Sequence, residues 1–255
     1  MSPLFRAVDE AVKLLIQRRV VWFSCGAASA VAAKLAVDKH LLNVEVVHCD
    51  TLASEHPDNT RFLNEVSEWI KRPITTLKSK YSRVEEVFQA RKYMSGVLGA
   101  PCTVEMKKKP RFSFQLPDDI HIFGLTKDEK KRADRFTKQN HELKLEWILV
   151  DHGITKDDCF DIVKDAGIEL PKMYQLGFKN NNCIGCVKSQ SPKYWNMVRD
   201  NFPEVFNERA KQSRELKCKL IKIGKTRIYL DELKPDNKFD LKEDLSCGPQ
   251  CSSGI

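Results

Sequence analysis

Long hydrophobic runs are missing from this chain: none reaches the roughly 20 residues that a helix needs to span a bilayer. The opening stretch, MSPLFRAVDEAVKLLIQRRV, carries Asp9 and Glu10 within a helix-like apolar spacing. It lacks the uninterrupted apolar centre and the small-residue cleavage site of a signal peptide. No internal repeat and no low-complexity tract occurs. The glycines and lysine of the common nucleotide loop are also absent, since the first candidate loop, Ser24-Cys25-Gly26-Ala27-Ala28-Ser29, has one Gly and no Lys. These absences lead to the expectation of a cytoplasmic protein with no membrane partner. At 255 residues and 42% hydrophobic content, the chain can form one large domain, or one domain with an appendage.

What is present in excess is cysteine and positive charge. Nine cysteines are many for a cytoplasmic chain, where disulfides are disfavoured, so short cysteine spacings suggest metal or redox chemistry. Cys49, Cys159 and Cys218 sit in apolar or helix-like surroundings and read as packing residues. The net charge of +8 suits a polyanionic partner, either a nucleic acid or a nucleotide. Lys107-Lys108-Lys109-Pro110-Arg111 and the stretch Lys127 to Arg135 concentrate that charge.

Short apolar runs alternate with helical patterns through the first half. Strands are expected at Val20–Phe23, Val44–His48, Ile74–Leu77 and Ile120–Phe123, with a fifth at Trp147–Val150. Helices are expected at Ser29–His40 (with Leu42 continuing its apolar face), Pro57–Lys71, Val84–Lys92 and Lys127–Asn140. The alternation predicts an α/β fold: a Rossmann-like, five-stranded parallel sheet flanked by helices. Ligands of such sheets bind beyond the carboxyl ends of the strands. Ser24, Asp50 and Gly124 all follow predicted strands. The pattern changes near residue 152, which suggests a nucleotide-binding part over 1–151 and a helical, cysteine-bearing part over 152–255. In the latter, a helix precedes Gly167 and Pro171, helical segments flank Pro203, and a hairpin turns at Gly224. The tail DLSCGPQCSSGI is expected to be mobile.

In the Ser24–Ser29 loop, Gly26 permits close approach to a phosphate, Ser24 and Ser29 offer hydroxyls, and the next helix offers N–H groups. Taken alone, an ordinary strand-to-helix turn reads the same way. Two further motifs accompany it: Asp50-Thr51 followed by Glu55-His56-Pro57, and Gly124-Leu125-Thr126 followed by Glu129 and Arg132-Ala133. In this combination and order, residues 18 to 200 resemble the phosphoadenylylsulfate (PAPS) reductase-like ATP pyrophosphatases of the adenine-nucleotide alpha-hydrolase group. That group has a Rossmann-like (HUP) sheet and a Ser-Gly-Gly-x-Asp-Ser loop. The chain departs from it at Cys25, at Ala28 (the loop Asp) and at Thr126 (an Arg that holds the sulfonucleotide).

The resemblance implies ATP and Mg2+ bound by Ser24, Cys25, Gly26, Ala27, Ser29, Asp50, Thr51, Gly124 and Arg132. It gives Ser29 and Asp50 catalytic roles, with Asp50 on magnesium or the ribose and the lysines at 107 to 109 offsetting phosphate charge. Cys183-Ile184-Gly185-Cys186 by itself fits zinc, an iron–sulfur cluster or a redox pair. In iron–sulfur members of the group, a cysteine near basic residues and a Pro lies well upstream of such a motif, as Cys102 does here. The resemblance thus implies that Cys102, Cys183 and Cys186 hold a [4Fe-4S] cluster, with zinc as the alternative. The fourth ligand would be Cys247, Cys251, a non-cysteine group or an exogenous sulfur. Cys247 and Cys251 read either as an idle tail or as a catalytic thiol pair that carries sulfur or electrons.

Within the group, the chain is similar to the ATP pyrophosphatases of bacterial DNA phosphorothioation systems. The implied partners are a cysteine desulfurase, DNA or tRNA, and other phosphorothioation proteins. The implied reaction adenylylates an acceptor phosphate for sulfur insertion. The alternatives are a phosphoadenylylsulfate or adenylylsulfate reductase, a tRNA thiolase, and a non-catalytic nucleotide- or nucleic-acid-binding module with a structural metal.

Overall fold

The computed structural model describes residues 17–40, 42–96 and 99–235. They form two compact units built from interleaved segments. One takes the chain up to Cys49, then Thr60–Leu77 and Arg111–Leu170; the other takes Asp50–Asn59, Lys78–Pro110 and the chain from Pro171. Both units therefore draw on residues from either side of position 151.

The first unit is an α/β fold. Its strands are β1 (Arg19–Phe23), β2 (Val44–Cys49), β3 (Ile74–Leu77), β4 (Ile120–Phe123) and β5 (Lys144–Glu146). They lie in the order β3-β2-β1-β4-β5, and every pairing is parallel. Every residue of β1 is buried, which is why Val20–Phe23 is continuously apolar rather than alternating. Val21 lies between Val46 and Ile122 in register, so the centre of the sheet is a row of branched side chains. One face packs Trp22, Cys49, Phe123 and Phe136 together.

Helix α1 (Ala27–His40) follows β1 after a three-residue loop and buries Ala30, Val31, Ala32, Ala33, Ala36 and Val37. Small side chains let it approach the sheet and the helix Lys156–Asp165 closely. Helix α2 (Asn59–Trp69) buries Phe62 and Val66 at helical spacing, and each such burial is worth roughly 2 kcal/mol. The positions of β1 to β4 agree with the sequence pattern. The fifth does not: Trp147–Val150 is not a strand. β5 lies just before it, and Ile148–Asp151 is a single helical turn that buries Ile148 and Leu149. Short apolar runs fit a buried turn as well as a strand. Leu42 does not extend the buried face of α1 and is 70% exposed. The expected helix at Lys127 begins as a 3₁₀ turn, Lys127–Glu129, before the helix Lys130–Gln139.

The second unit is mainly helical. Val84–Arg91, Pro192–Asn201 and Pro203–Glu215 surround a core that includes Phe88, Met94, Met106, Trp195 and Phe206. Pro203 separates the last two helices, as a proline at a helix start should. β6 (Ile221–Ile223) and β7 (Thr226–Ile228) make the antiparallel hairpin at Gly224, whose φ is +59°. Arg209, buried at 1% exposure, pairs with Glu85 at 2.5 Å inside this unit. Among the described residues, no helix is long and apolar enough to cross a membrane.

Candidate functional site

The strand order makes β1 and β4 the place where the chain reverses its direction of progress across the sheet. Ligand crevices of open parallel sheets form at this point, beyond the strand ends. The loop between β1 and α1 sits there. Its residues alternate: Cys25, Ala27 and Ser29 are buried, while Ser24, Gly26 and Ala28 are half-buried. The N–H groups of Ala27, Ala28 and Ser29 form the first turn of α1 and so have no acceptor within the helix. Backbone donors and a helix dipole thus gather at one point, which favours an anion.

Ser29 holds the loop in shape. Its hydroxyl donates to the Gly26 carbonyl at 2.8 Å, accepts from the Ser24 N–H at 3.0 Å, and lies 3.2 Å from the Ser24 hydroxyl. The Gly26 carbonyl also accepts the first helical hydrogen bond, from Ala30, at 3.0 Å. Ser29 therefore fixes the course of the loop backbone that it staples.

Cys25 has a φ of +55°, a left-handed conformation that favours glycine. Its side chain is fully buried, with its sulfur 3.9 Å from Nδ1 of His48. Nδ1 also lies 3.2 Å from the Phe23 carbonyl, which can only accept, so this nitrogen carries the ring proton. The thiol thus faces the interior beside the sheet. His48 did not stand out in the sequence; the apolar context of VEVVHC was its only signal.

Gly124 closes the site from β4. A Cβ at this position would lie 2.7 Å from the Ser29 Cα and N, and 2.9 Å from the Ala28 carbonyl carbon. Only glycine lets the end of β4 meet the first turn of α1. After it, Thr126 and Glu129 form a capping box, with Thr126 2% exposed. Arg132 pairs with Glu129 at 2.5 Å. Thr126, which stands where the resembled group has Arg, is a helix cap here.

Asp50 and Thr51 follow β2 directly and belong to the second unit. Asp50 is half-buried, and its Oδ1 accepts from the Leu52 N–H at 3.3 Å. Thr51 is buried and donates to Glu55 at 2.5 Å. The other oxygen of Glu55 accepts from Asn59 at 2.7 Å, and Asn181 donates to Asn59 at 2.8 Å. Ser54 adds two contacts: its carbonyl accepts from the Ile184 N–H at 2.9 Å, and its hydroxyl from the Val84 N–H at 3.0 Å. The Asp-Thr motif and the acidic residue after it are therefore latched to the Cys-x-x-Cys loop. Asn181, within a run of three asparagines, gave no sequence signal of this role.

Cys183 and Cys186 are buried in the core of the second unit, and Cys102, in the short turn Pro101–Thr103, packs against that same core. Gly185 between the cysteines takes φ +65°, and a Cβ there would press on Val205 at 3.0 Å. The Tyr194 hydroxyl accepts from the Cys186 N–H at 2.7 Å, and Arg209 donates to the Gly185 carbonyl at 3.3 Å. Among the described residues, no group of three or more His, Cys, Asp or Glu is arranged to hold a metal ion. Cys247 and Cys251 lie outside the described residues. Of the basic run, Lys109 is engaged with Glu105 at 2.8 and 2.9 Å, as is Arg91, and Lys107 is buried.

The packing cysteines behave as expected. Cys159 is fully buried, and burial pushes its thiol up to about 12, beyond reactivity near neutral pH. Cys49 is 4% exposed, and Cys218 donates to the Ser95 carbonyl. Comparison with known protein families and with curated proteins found no match for this chain.

Proposed function

We propose that the chain is an ATP pyrophosphatase that adenylylates an acceptor phosphate for sulfur insertion, with the DNA backbone as acceptor. One observation carries this reading. The β1–α1 loop presents backbone donors at the switch point of a parallel sheet, and Gly124 brings the end of β4 against it. The phosphates of ATP would lie over Ser24, Gly26 and Ala28, the half-buried positions, and accept from the first turn of α1. An oxygen of the acceptor attacks the α-phosphorus, and pyrophosphate leaves. The outer sulfur of a persulfide on a cysteine desulfurase then attacks the adenylylated phosphorus and displaces AMP, and a thiol reductant cleaves the remaining S–S bond to leave the phosphorothioate. Magnesium would screen the phosphate charge, and Asp50, which directly follows β2, is the candidate carboxylate for it.

A second reading has its own support: a module that binds nucleotide or nucleic acid without hydrolysis. Ala28 supplies no carboxylate where the resembled group has one, and the Ser29 hydroxyl is committed within the loop. Incubation with ATP and magnesium, anaerobically and with or without DNA, separates the two. The first requires pyrophosphate release that is lost in Ser29→Ala; the second requires ATP binding with no release.

A further inference from the structure

A recess lies at the opposite edge of the same sheet, where the parallel strands begin. The last turns of α1, the end of α2 and the turn into β3 enclose about 560 Å³, with Lys34, Trp69, Lys71 and Arg72 around a floor of Val37 and Ile70. This volume is in the range of small-molecule sites. The positive side chains outnumber the negative ones: Asp38 also lines the recess, but it is held by Lys34 at 2.6 Å. Lys71 is exposed and has no ion-pair partner among the described residues.

Trp69 is the more telling residue. Trp22 stacks on His121 and donates to it; Trp147 packs on Phe136 and donates to Thr137; Trp195 packs on Tyr194 and donates to the Ser189 carbonyl. Among the described residues, half-buried Trp69 has neither a ring partner nor an acceptor for its indole N–H. Cations at a helix end can be explained by the helix dipole alone. That explanation leaves an unpartnered indole in the same recess unaccounted for.

The turn that carries the cations is well fixed. The Lys71 N–H donates to the Glu68 carbonyl at 3.1 Å, and the Arg72 N–H to the Ser67 carbonyl at 3.2 Å. The Ser67 hydroxyl donates to the Arg72 carbonyl at 2.7 Å. This is the glycine-type helix ending, yet Lys71 occupies its left-handed position at φ +52°. A lysine stands where glycine would be less strained.

We propose that this recess binds a nucleoside phosphate, free or as one unit of a single strand, with its base against the Trp69 indole and its phosphate held by Lys71 and Arg72. The recess is separate from the β1–α1 loop, which lies at the other edge of the sheet.

The test is a titration of the intrinsic fluorescence of the full chain with AMP and, separately, with a short single-stranded oligonucleotide. A saturable quench is expected with at least one of them. It should disappear in Trp69→Phe and persist in Ser29→Ala, which alters only the loop. Lys71→Gly keeps the turn and removes the cation; it should weaken binding about tenfold. Saturation by AMP identifies a free nucleotide as sufficient, and saturation by the oligonucleotide alone identifies the strand. No saturable quench with either ligand, a quench that survives Trp69→Phe, or unchanged affinity in Lys71→Gly would overturn the proposal.

Discussion

At the scale of single residues, the loop site depends on two unusual positions. Gly124 has no room for a side chain, because its missing Cβ would collide with backbone at 2.7 Å. Backbone cannot rotate away as a side chain can, so Gly124→Ala should cost about 2–3 kcal/mol, measurable by urea unfolding. Loss of less than about 0.5 kcal/mol would show that the end of β4 is not held against α1. Cys25 presents opposing effects. Glycine there would relieve the left-handed strain, worth about 1 kcal/mol. It would also remove a fully buried thiol, at a similar cost. Cys25→Gly should therefore leave stability within about 1 kcal/mol and leave pyrophosphate release intact; a selective loss of release would make the thiol a reactant. Ser24, Gly26 and Gly124 are legible in the sequence because each follows a strand with the residue type that tight turns need. The inward turn of Cys25 and the stapling role of Ser29 are not legible, since both depend on a backbone φ and on hydrogen bonds that the pattern of residue types does not encode.

At the scale of elements, the sheet carries a pH response. On β4, His121 is buried and lies 3.0 Å from the Trp22 Nε1, which can only donate, so Nδ1 of His121 is an unprotonated acceptor. Burial, reinforced by the charge of Arg111, holds the imidazole down at about 4. An unfolded chain protonates its histidines near pH 6.5. Between these values the unfolded state binds a proton that the folded state does not. Stability should therefore fall as pH drops from about 6.5 to about 4, by up to about 3 kcal/mol from this group, and level off below. His121→Gln, which can still accept from Trp22, should flatten that slope in unfolding curves taken across the window. A slope unchanged by the substitution would contradict the assignment. The interior strands β2, β1 and β4 are legible because buried parallel strands are mostly apolar runs between polar loops. β5 was misplaced because Lys144–Glu146 is short and half-polar, while the apolar run beside it fills a helical turn.

At the scale of the molecule, segments distant in sequence build each unit, and an interleaved division of this kind leaves little trace in composition. Within the second unit, Arg209 and Glu85 form a buried charge pair. Burial would raise the Glu85 carboxyl, but Arg209, together with a backbone hydrogen bond and Arg83, holds it below the usual range. Arg209→Met removes the buried partner and leaves Glu85 with only the exposed Arg83 at 3.2 Å, so it should cost about 3 kcal/mol, seen as a lower thermal midpoint. The double variant Arg209→Met/Glu85→Leu should recover much of that loss.

The most direct measurement of the central claim is pyrophosphate release from ATP and magnesium by the anaerobically purified, reduced chain, with and without DNA. The ATP pyrophosphatase reading predicts release that Ser29→Ala abolishes and that DNA increases. No release under any of these conditions, with ATP still bound, would contradict it and leave the site a nucleotide-binding module.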